Sequence, residues 1–358
     1  MLRGGENWTG VAFGSTVVVV VRANNATNAV FSVVTIALGK GAEDAGSVVD
    51  FAVATLGKDN KCIVAVVTSC KRICTFDAAT GEKISSVGLS RRPSSLALQE
   101  TERSGVPPCA IVSDKAGDVV AYTLPDVSKG KKYLFTHTAS PVLALALKDG
   151  MLVSGDRDEK VRVSSWPETC HVRAYCLGHA KYVSCVGIAS GDRIVSGSGD
   201  GKLNLWNASS GALVSTLECQ ATPPLSLSVN SGGNMVASMW TGDRTRIAIH
   251  DLGDGKQDAI ARRTVECTSS VHAFCFAGNT LLAITATSEG AIDRIVAYEN
   301  DLTPMPLSPA LEALESAAKS TFGTASVGSV DESSKVEEEA CLERARVRRK
   351  VDGESTEK

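Results

Sequence analysis

Residues 178–207 read GHAKYVSCVGIASGDRIVSGSGDGKLNLWN, and this stretch decides the architecture. An apolar run, YVSCVGIA, leads into a hairpin in which RIVSGS turns at Gly201 into KLNLW. β-Branched and small residues fill the runs and Gly and Asp fill the turns, the composition of short strands. A histidine stands ahead of the first run, and His179 is separated from Asp200 by 21 residues. The same separation recurs from His137 to Asp158, around LVSGDRDEKVRV.

Working outward, seven such hairpins follow one another. VVVVVR turns near Asn25 into AVFSVV, CIVAVV through Ser69 into RICTF, and AIVSDK near Ala116 into DVVAYTL. MLVSGD turns near Asp158 into KVRVSSW, and RIVSGS at Gly201 into KLNLW. NMVASMW turns near Gly242 into RIAIHD, and LLAITAT near Glu289 into RIVAYE. Successive turn centres lie 41 to 47 residues apart. A period of about 40–45 residues with a His-to-Asp bond inside the repeat is that of a WD-type blade, a four-stranded sheet. Seven blades need about 300 residues, and the pattern ends near Glu299. The fold class expected is therefore all-β, a seven-bladed WD-repeat β-propeller. A single blade has two apolar faces that only its neighbours can bury, so the units close into a ring. The strand around TGVAFG is expected to pair into the last blade and lock that ring.

The domain division expected is a propeller over 1–300 and an extension over 301–358. Pro304, Pro306 and Pro309 mark an extended exit, LEALESAAK reads as a short helix, and TFGTASVGSVDESSK reads as a linker. The segment VEEEACLERARVRRK has acids first and bases last, the order a helix dipole favours. Residues 301–358 hold 12 acidic and 8 basic side chains, so the formal charge of −3 leaves the body near neutral. A body of that kind does not bind a polyanion tightly by itself. No apolar run approaches the ~20 residues of a membrane helix, and residues 17–21 are too short and too β-branched for a leader. Eleven cysteines, several inside apolar strands, fit buried free thiols in a reducing compartment.

The His–Asp pairs carry two readings. His179 with Asp200 resembles a catalytic dyad, but within a blade it is a structural network completed by Ser196 and Trp206. His137 and Asp158 are read as its counterpart in the fourth blade, where Ser164 stands in place of Trp206. The fourth hairpin tip, Asp156-Arg157-Asp158-Glu159-Lys160-Val161-Arg162, carries six charges in seven positions. With Asp158 assigned to the turn, Asp156, Arg157, Glu159, Lys160 and Arg162 have no core role. They form either a solvated loop or a charge-complementary docking patch. Adjacent bases argue against a carboxylate metal site there, and Cys70 and Cys74 flank a turn with no further ligand nearby. Gly39, Gly41 and Gly46 lack the strand–helix context of a dinucleotide loop, and there is no P-loop or Gly-x-Ser-x-Gly elbow. No cofactor, metal or catalytic residue is expected. The terminal ERARVRRK reads equally as a nuclear-import signal, a nucleic-acid contact or a solvated tail.

Three segments, VSDKAGDVVAY (112–122), SGDRDEKVRVS (154–164) and YCLGHAKYVSCV (175–186), are followed by IVSGSGDGKLNLW (194–206). This series resembles the non-catalytic WD-repeat subunit of the eukaryotic tRNA (guanine-N7)-methyltransferase over about 95 residues. The resemblance implies a propeller without catalysis of its own. It further implies a heterodimer with a separate Rossmann-type subunit that carries S-adenosylmethionine, modifies the variable-loop guanine and contacts tRNA jointly. It places the charged tip on the partner-facing side, which makes Asp156, Arg157, Glu159, Lys160 and Arg162 interface candidates, with Lys181 and Lys202 in adjoining loops. The expected location is the nucleus, with the cytoplasm open as a second one. The competing reading is a generic WD-repeat scaffold, such as a ubiquitin-ligase substrate receptor or a chromatin adaptor. The third hairpin departs from the pattern, with Gly117 where Asp158 and Asp200 stand.

Overall fold

A computed structural model describes residues 1–322 except 5–7, 14, 23–30, 39–45, 58–60, 139, 253–260, 287–291 and 300–302. The turns expected near Asn25 and Glu289, the Gly39–Gly41 segment and the tail from 323 onward, with its ERARVRRK cluster, lie outside the described residues.

Seven four-stranded antiparallel sheets follow in strict chain order. The first is β1 (Leu2–Gly4), β2 (Trp8–Phe13), β3 (Thr16–Arg22) and β4 (Phe31–Ala37). The second is β5 (Val48–Leu56), β6 (Lys61–Thr68), β7 (Arg72–Asp77) and β8 (Lys83–Gly88). The third is β9 (Pro93–Gln99), β10 (Cys109–Asp114), β11 (Asp118–Thr123) and β12 (Lys131–Thr136). The fourth is β13 (Val142–Lys148), β14 (Met151–Asp156), β15 (Val161–Ser165) and β16 (Val172–Cys176). The fifth is β17 (Val183–Ala189), β18 (Arg193–Ser198), β19 (Lys202–Asn207) and β20 (Leu213–Cys219). The sixth is β21 (Pro224–Val229), β22 (Met235–Trp240), β23 (Asp243–Asp251) and β24 (Ala261–Glu266). The seventh is β25 (Ser270–Ala277), β26 (Thr280–Ala286), β27 (Ile292–Tyr298) and β28 (Pro304–Met305), followed by helix α1 (Pro309–Phe322). The molecule is the seven-bladed propeller that the hairpin rhythm requires.

The second strand of a blade is covered on both faces, which explains its nearly continuous small and apolar sequence. Every residue of β14, β18 and β22 is buried. Outer strands alternate or open to solvent, as in β12 and β20. Between blades lie separate apolar clusters, one of them joining Val153, Val163 and Cys176 of the fourth blade to Val183, Ile188 and Trp206 of the fifth. Close approach there needs glycine. A Cβ on Gly155 would meet Val183 Cγ1 at 2.6 Å, and one on Gly197 would meet Pro224 Cγ at 2.6 Å.

The ring does not close as the sequence suggested. The TGVAFG strand, β2, pairs with β1 and β3 inside the first blade. Residues ahead of it supply that blade's inner strand, and the last blade draws its outer strand from Pro304–Met305, past residue 300. No strand is exchanged among the described residues; β1 lies beside β25 of the last blade.

Candidate docking rim on the fourth and fifth blades

In the fifth blade the loop before β17 carries His179 into a buried chain. Its Nδ1 lies 3.1 Å from Asp200 Oδ2 and its Nε2 lies 2.8 Å from Ser196 Oγ. The Trp206 indole N–H donates to the same Ser196 Oγ at 2.7 Å. A Trp N–H only donates, so Ser196 is free to give its own proton to Nε2, and Nδ1–H then donates to the carboxylate. That tautomer is neutral, in keeping with burial pushing the imidazole below its ordinary value while Asp200 opposes it. Burial pushes Asp200 up, but the Ala180 and Lys202 amides and His179 outweigh it and hold the carboxyl below the usual range.

The fourth blade uses the same parts from different positions. His137 Nδ1 lies 2.9 Å from Asp156 Oδ2, and Nε2 lies 2.8 Å from Ser154 Oγ. Asp156 is 1% exposed and also accepts the Lys160 amide. Two expectations are corrected by this. Asp158 is not the turn acid: its side chain is exposed beside Arg157. Asp156 is no surface contact, because it is consumed by the buried pair. The equal spacing of 21 concealed this, because the fourth tip carries an aspartate at both 156 and 158. Lys148 pairs with Met151 across a turn of two residues, where Ala189 pairs with Arg193 across three. The loop from His137 to β13 is longer than that from His179 to β17 by one residue, which restores the count.

With its acid withdrawn into the strand, the fourth tip is left to face solvent. Arg157, Asp158, Glu159 and Lys160 are all exposed. Glu159 holds φ 73°, the left-handed conformation that Gly201 holds at φ 80° in the fifth blade. Non-glycine residues occupy that region at a cost of about 1 kcal/mol or more, and they concentrate at functional positions. Gly117 and Gly201 each receive a hydrogen bond at the carbonyl, from His137 N and Gln220 N, and a Cβ there would strike the next lead-in loop. Among the described residues Glu159 makes no matching bond. The outer strand pairs from Val161 rather than from the tip, and Leu177 departs exposed, at 64%.

That departure opens a cavity of about 350 Å³ lined by His137, Asp156, Lys160, Arg162, Tyr175 and Leu177, with Thr136 and Thr138 at its edge. Arg162 is fixed in it. The guanidinium sits 4.0 Å from the Phe135 ring centroid, Nε donates to Ser164 Oγ and Nη2 to Thr169 O, each at 3.0 Å. Ser164, which replaces the tryptophan of the fifth blade, thus orients an arginine. Lys181 is exposed in the neighbouring loop and Lys202 is half-buried. Sequence reasoning missed Phe135, Tyr175 and Leu177, which supply the apolar share of the rim. The only signal for them was apolar residues on outer strands where solvent is expected. Among the described residues no group of three His, Cys, Asp or Glu side chains is placed to hold a metal. Cys70 and Cys74 contact Thr68 and Ser86 separately. No described helix is long and apolar enough to cross a membrane.

Several curated proteins are similar to part of this chain. Residues 146–293 match the family model described as the tRNA methyltransferase TRM82 WD40 domain. A Danio rerio protein named tRNA (guanine-N(7)-)-methyltransferase non-catalytic subunit wdr4 is 34% identical over 179 residues, 48% of this chain and 41% of that protein. The Dictyostelium discoideum protein of the same name is 37% identical over 129 residues, 30% of this chain and 28% of that one. A Culex quinquefasciatus protein, named as the non-catalytic subunit wuho, is 30% identical over 154 residues, 43% of this chain and 38% of that protein. The chain thus spans less than half the length of the curated relatives it matches. Among solved structures, a chain of the mitotic checkpoint complex superposes with a TM-score of 0.61 at 17% identity, over 80% of this chain and 86% of that chain. The computationally designed Ika8 protein gives 0.57 at 19% identity, over 85% of each. Those two establish the propeller fold alone. The resemblance drawn from residues 112–206 is borne out: this chain is similar to non-catalytic subunits of tRNA (guanine-N7)-methyltransferases.

Proposed function

We propose that this protein is the non-catalytic subunit of a tRNA (guanine-N7)-methyltransferase complex and that the fourth-blade tip docks the catalytic subunit. The observation that carries the proposal is the uncovered tip. Its charges are released from the blade's internal network, and its Glu159 keeps a conformation that glycine would adopt at less cost. Exposed Arg157, Glu159 and Lys160 present alternating sign to a partner, which favours orientation and encounter rate over raw affinity. Arg162, held by Phe135 and Ser164, is positioned before binding and loses little freedom on contact. Tyr175 and Leu177 add the apolar area that a charged rim lacks. The near-neutral body supports tRNA contact through the complex rather than by this subunit alone. Methyl transfer to guanine N7 in the variable loop belongs, on this reading, to the partner. A nuclear location is the corresponding proposal for the cell, tested by imaging the tagged full-length chain.

The test is co-expression with a catalytic methyltransferase subunit. Lys160→Glu with Arg162→Glu is expected to abolish co-purification and tRNA 7-methylguanosine formation while the propeller stays folded. Undiminished co-purification, or methylation by this chain alone, would contradict it.

A further inference from the structure

The last blade differs from the others at its outer edge. The outermost strands of the first six blades have five to seven residues, whereas β28 has two. β28 pairs only with Ala297 and Tyr298, and its Pro304 has no N–H to give. The rest of β27 meets α1 instead. Ile295 N–H donates to Glu315 Oε2 at 2.8 Å, and Lys319 Nζ holds the other carboxylate oxygen at 2.6 Å. A helix side chain here does the work of a strand carbonyl.

The same helix reaches across the gap between the ends of the chain. It packs on β3 and β4 of the first blade as well as on β27 of the seventh. Leu314 and Ala318, both fully buried, join one cluster with Val11 and Val18 from the first blade and Ile292, Ile295 and Ala297 from the seventh. The sequence sets the helix up for that place. Ser308 Oγ accepts the Leu311 amide at the start, Pro309 opens the first turn, Glu312 lies near the positive end and Lys319 near the negative end. Leu311, Leu314 and Ala318 recur at the spacing of one helical face.

Among the described residues this seam is the only junction between blades that are not consecutive in the chain. Every other pair is tethered by a short connection, so parting them gains little entropy. At the seam no short connection joins the two blades and, among the described residues, no strand is shared, so packing carries a larger share of the closure than elsewhere. We propose that α1 is the strap that closes the propeller, doing by helix packing across the first and seventh blades what a shared strand would otherwise do. The seam is then the first part of the ring to open, and α1 sets how often it does.

Hydrogen exchange on the full-length chain tests this. Leu314→Asp with Ala318→Asp places charges in the seam cluster. Exchange in β1–β3 and β25–β27 is expected to quicken at least tenfold, with β14 and β18 unchanged. Unchanged exchange at the seam, or equal acceleration in all seven blades, would overturn the proposal. Glu315→Ala, which leaves the buried helix face intact, is the milder variant. It is expected to speed exchange of the Ile295 amide at least threefold with Val195 unaffected, and no change at Ile295 would refute the edge contact.

Discussion

The fourth and fifth blades are built from the same hairpin and use it for different ends. Both tips span five residues between paired strand positions, Gly155 to Val161 and Gly197 to Leu203. In the fifth blade the third tip residue, Asp200, reaches back to His179. In the fourth blade the first one, Asp156, does so. Moving the carboxylate two positions toward the strand keeps the buried pair and releases the turn. The fifth tip is spent on its own blade, with Gly199 and Gly201 folded under neighbours; the fourth tip is left charged and uncovered. The sixth blade shows the network given up altogether. His250 stands where Trp206 does in register, opposite Val236, and Gln220 occupies the loop before β21. Among the described residues the Ser238 hydroxyl and the Trp240 N–H are buried without hydrogen-bond partners, and His250 Nε2 lies 3.5 Å from Glu218 Oε2.

The comparison breaks most visibly by removing each blade's acid. Asp156→Ala strands His137 in a buried site and is expected to cost about 2–3 kcal/mol in urea denaturation. Asp158→Ala is expected to stay within about 0.5 kcal/mol, as an exposed substitution does. If the two costs were reversed, the shift of the acid would be wrong. Crossing the tips sharpens the contrast further. Gly201→Ala would drive a Cβ to 2.0 Å from Gln220 O at φ 80°, so a loss of about 2 kcal/mol is expected from strain and overpacking.

Acid titration tests the buried histidines together. Burial holds His179, His250 and His272 below the ordinary value of 6.5, His272 at about 4. Below pH 6.5 the unfolded chain takes up protons that the folded sites refuse, so stability falls on acidification. For His272 the loss runs from 6.5 down to about 4. Asp156 and Asp200 act lower: their contribution is present above the ordinary carboxylate value of 3.8 and disappears as pH falls through their depressed values. Melting temperature followed from pH 7.5 to 4 is expected to fall steadily, and a flat profile would count against neutral buried imidazoles. The smallest effect belongs to Glu159→Gly. Relief of the left-handed backbone is expected to raise stability by up to about 1 kcal/mol while weakening the catalytic subunit's binding.

Much of the ring was legible because its signal is repeated. Turn positions near 69, 116, 158, 201 and 242 fall between the observed strands, since valine-rich runs broken by Gly and Asp have no alternative burial. Two features were not legible, for different reasons. The displaced acid was masked because aspartates stand at both 156 and 158 and Asp158 is in register with Asp200; only the side-chain bond to His137 tells them apart. Ring closure depends on which strand β2 pairs with, and TGVAFG suits either partner equally; three residues upstream, Leu2–Gly4, decided it. At the rim the charges could be read from DRDEK. The Phe135 platform and the exposed Leu177 come from separate strands and become neighbours only in the fold.

Titrating a purified catalytic methyltransferase subunit into this protein most directly tests whether the fourth tip docks it. Lys160→Glu is expected to weaken binding at least tenfold with an unchanged melting temperature, and Lys202→Glu in the fifth blade to weaken it far less. Equal affinities for wild type and Lys160→Glu would contradict the assignment.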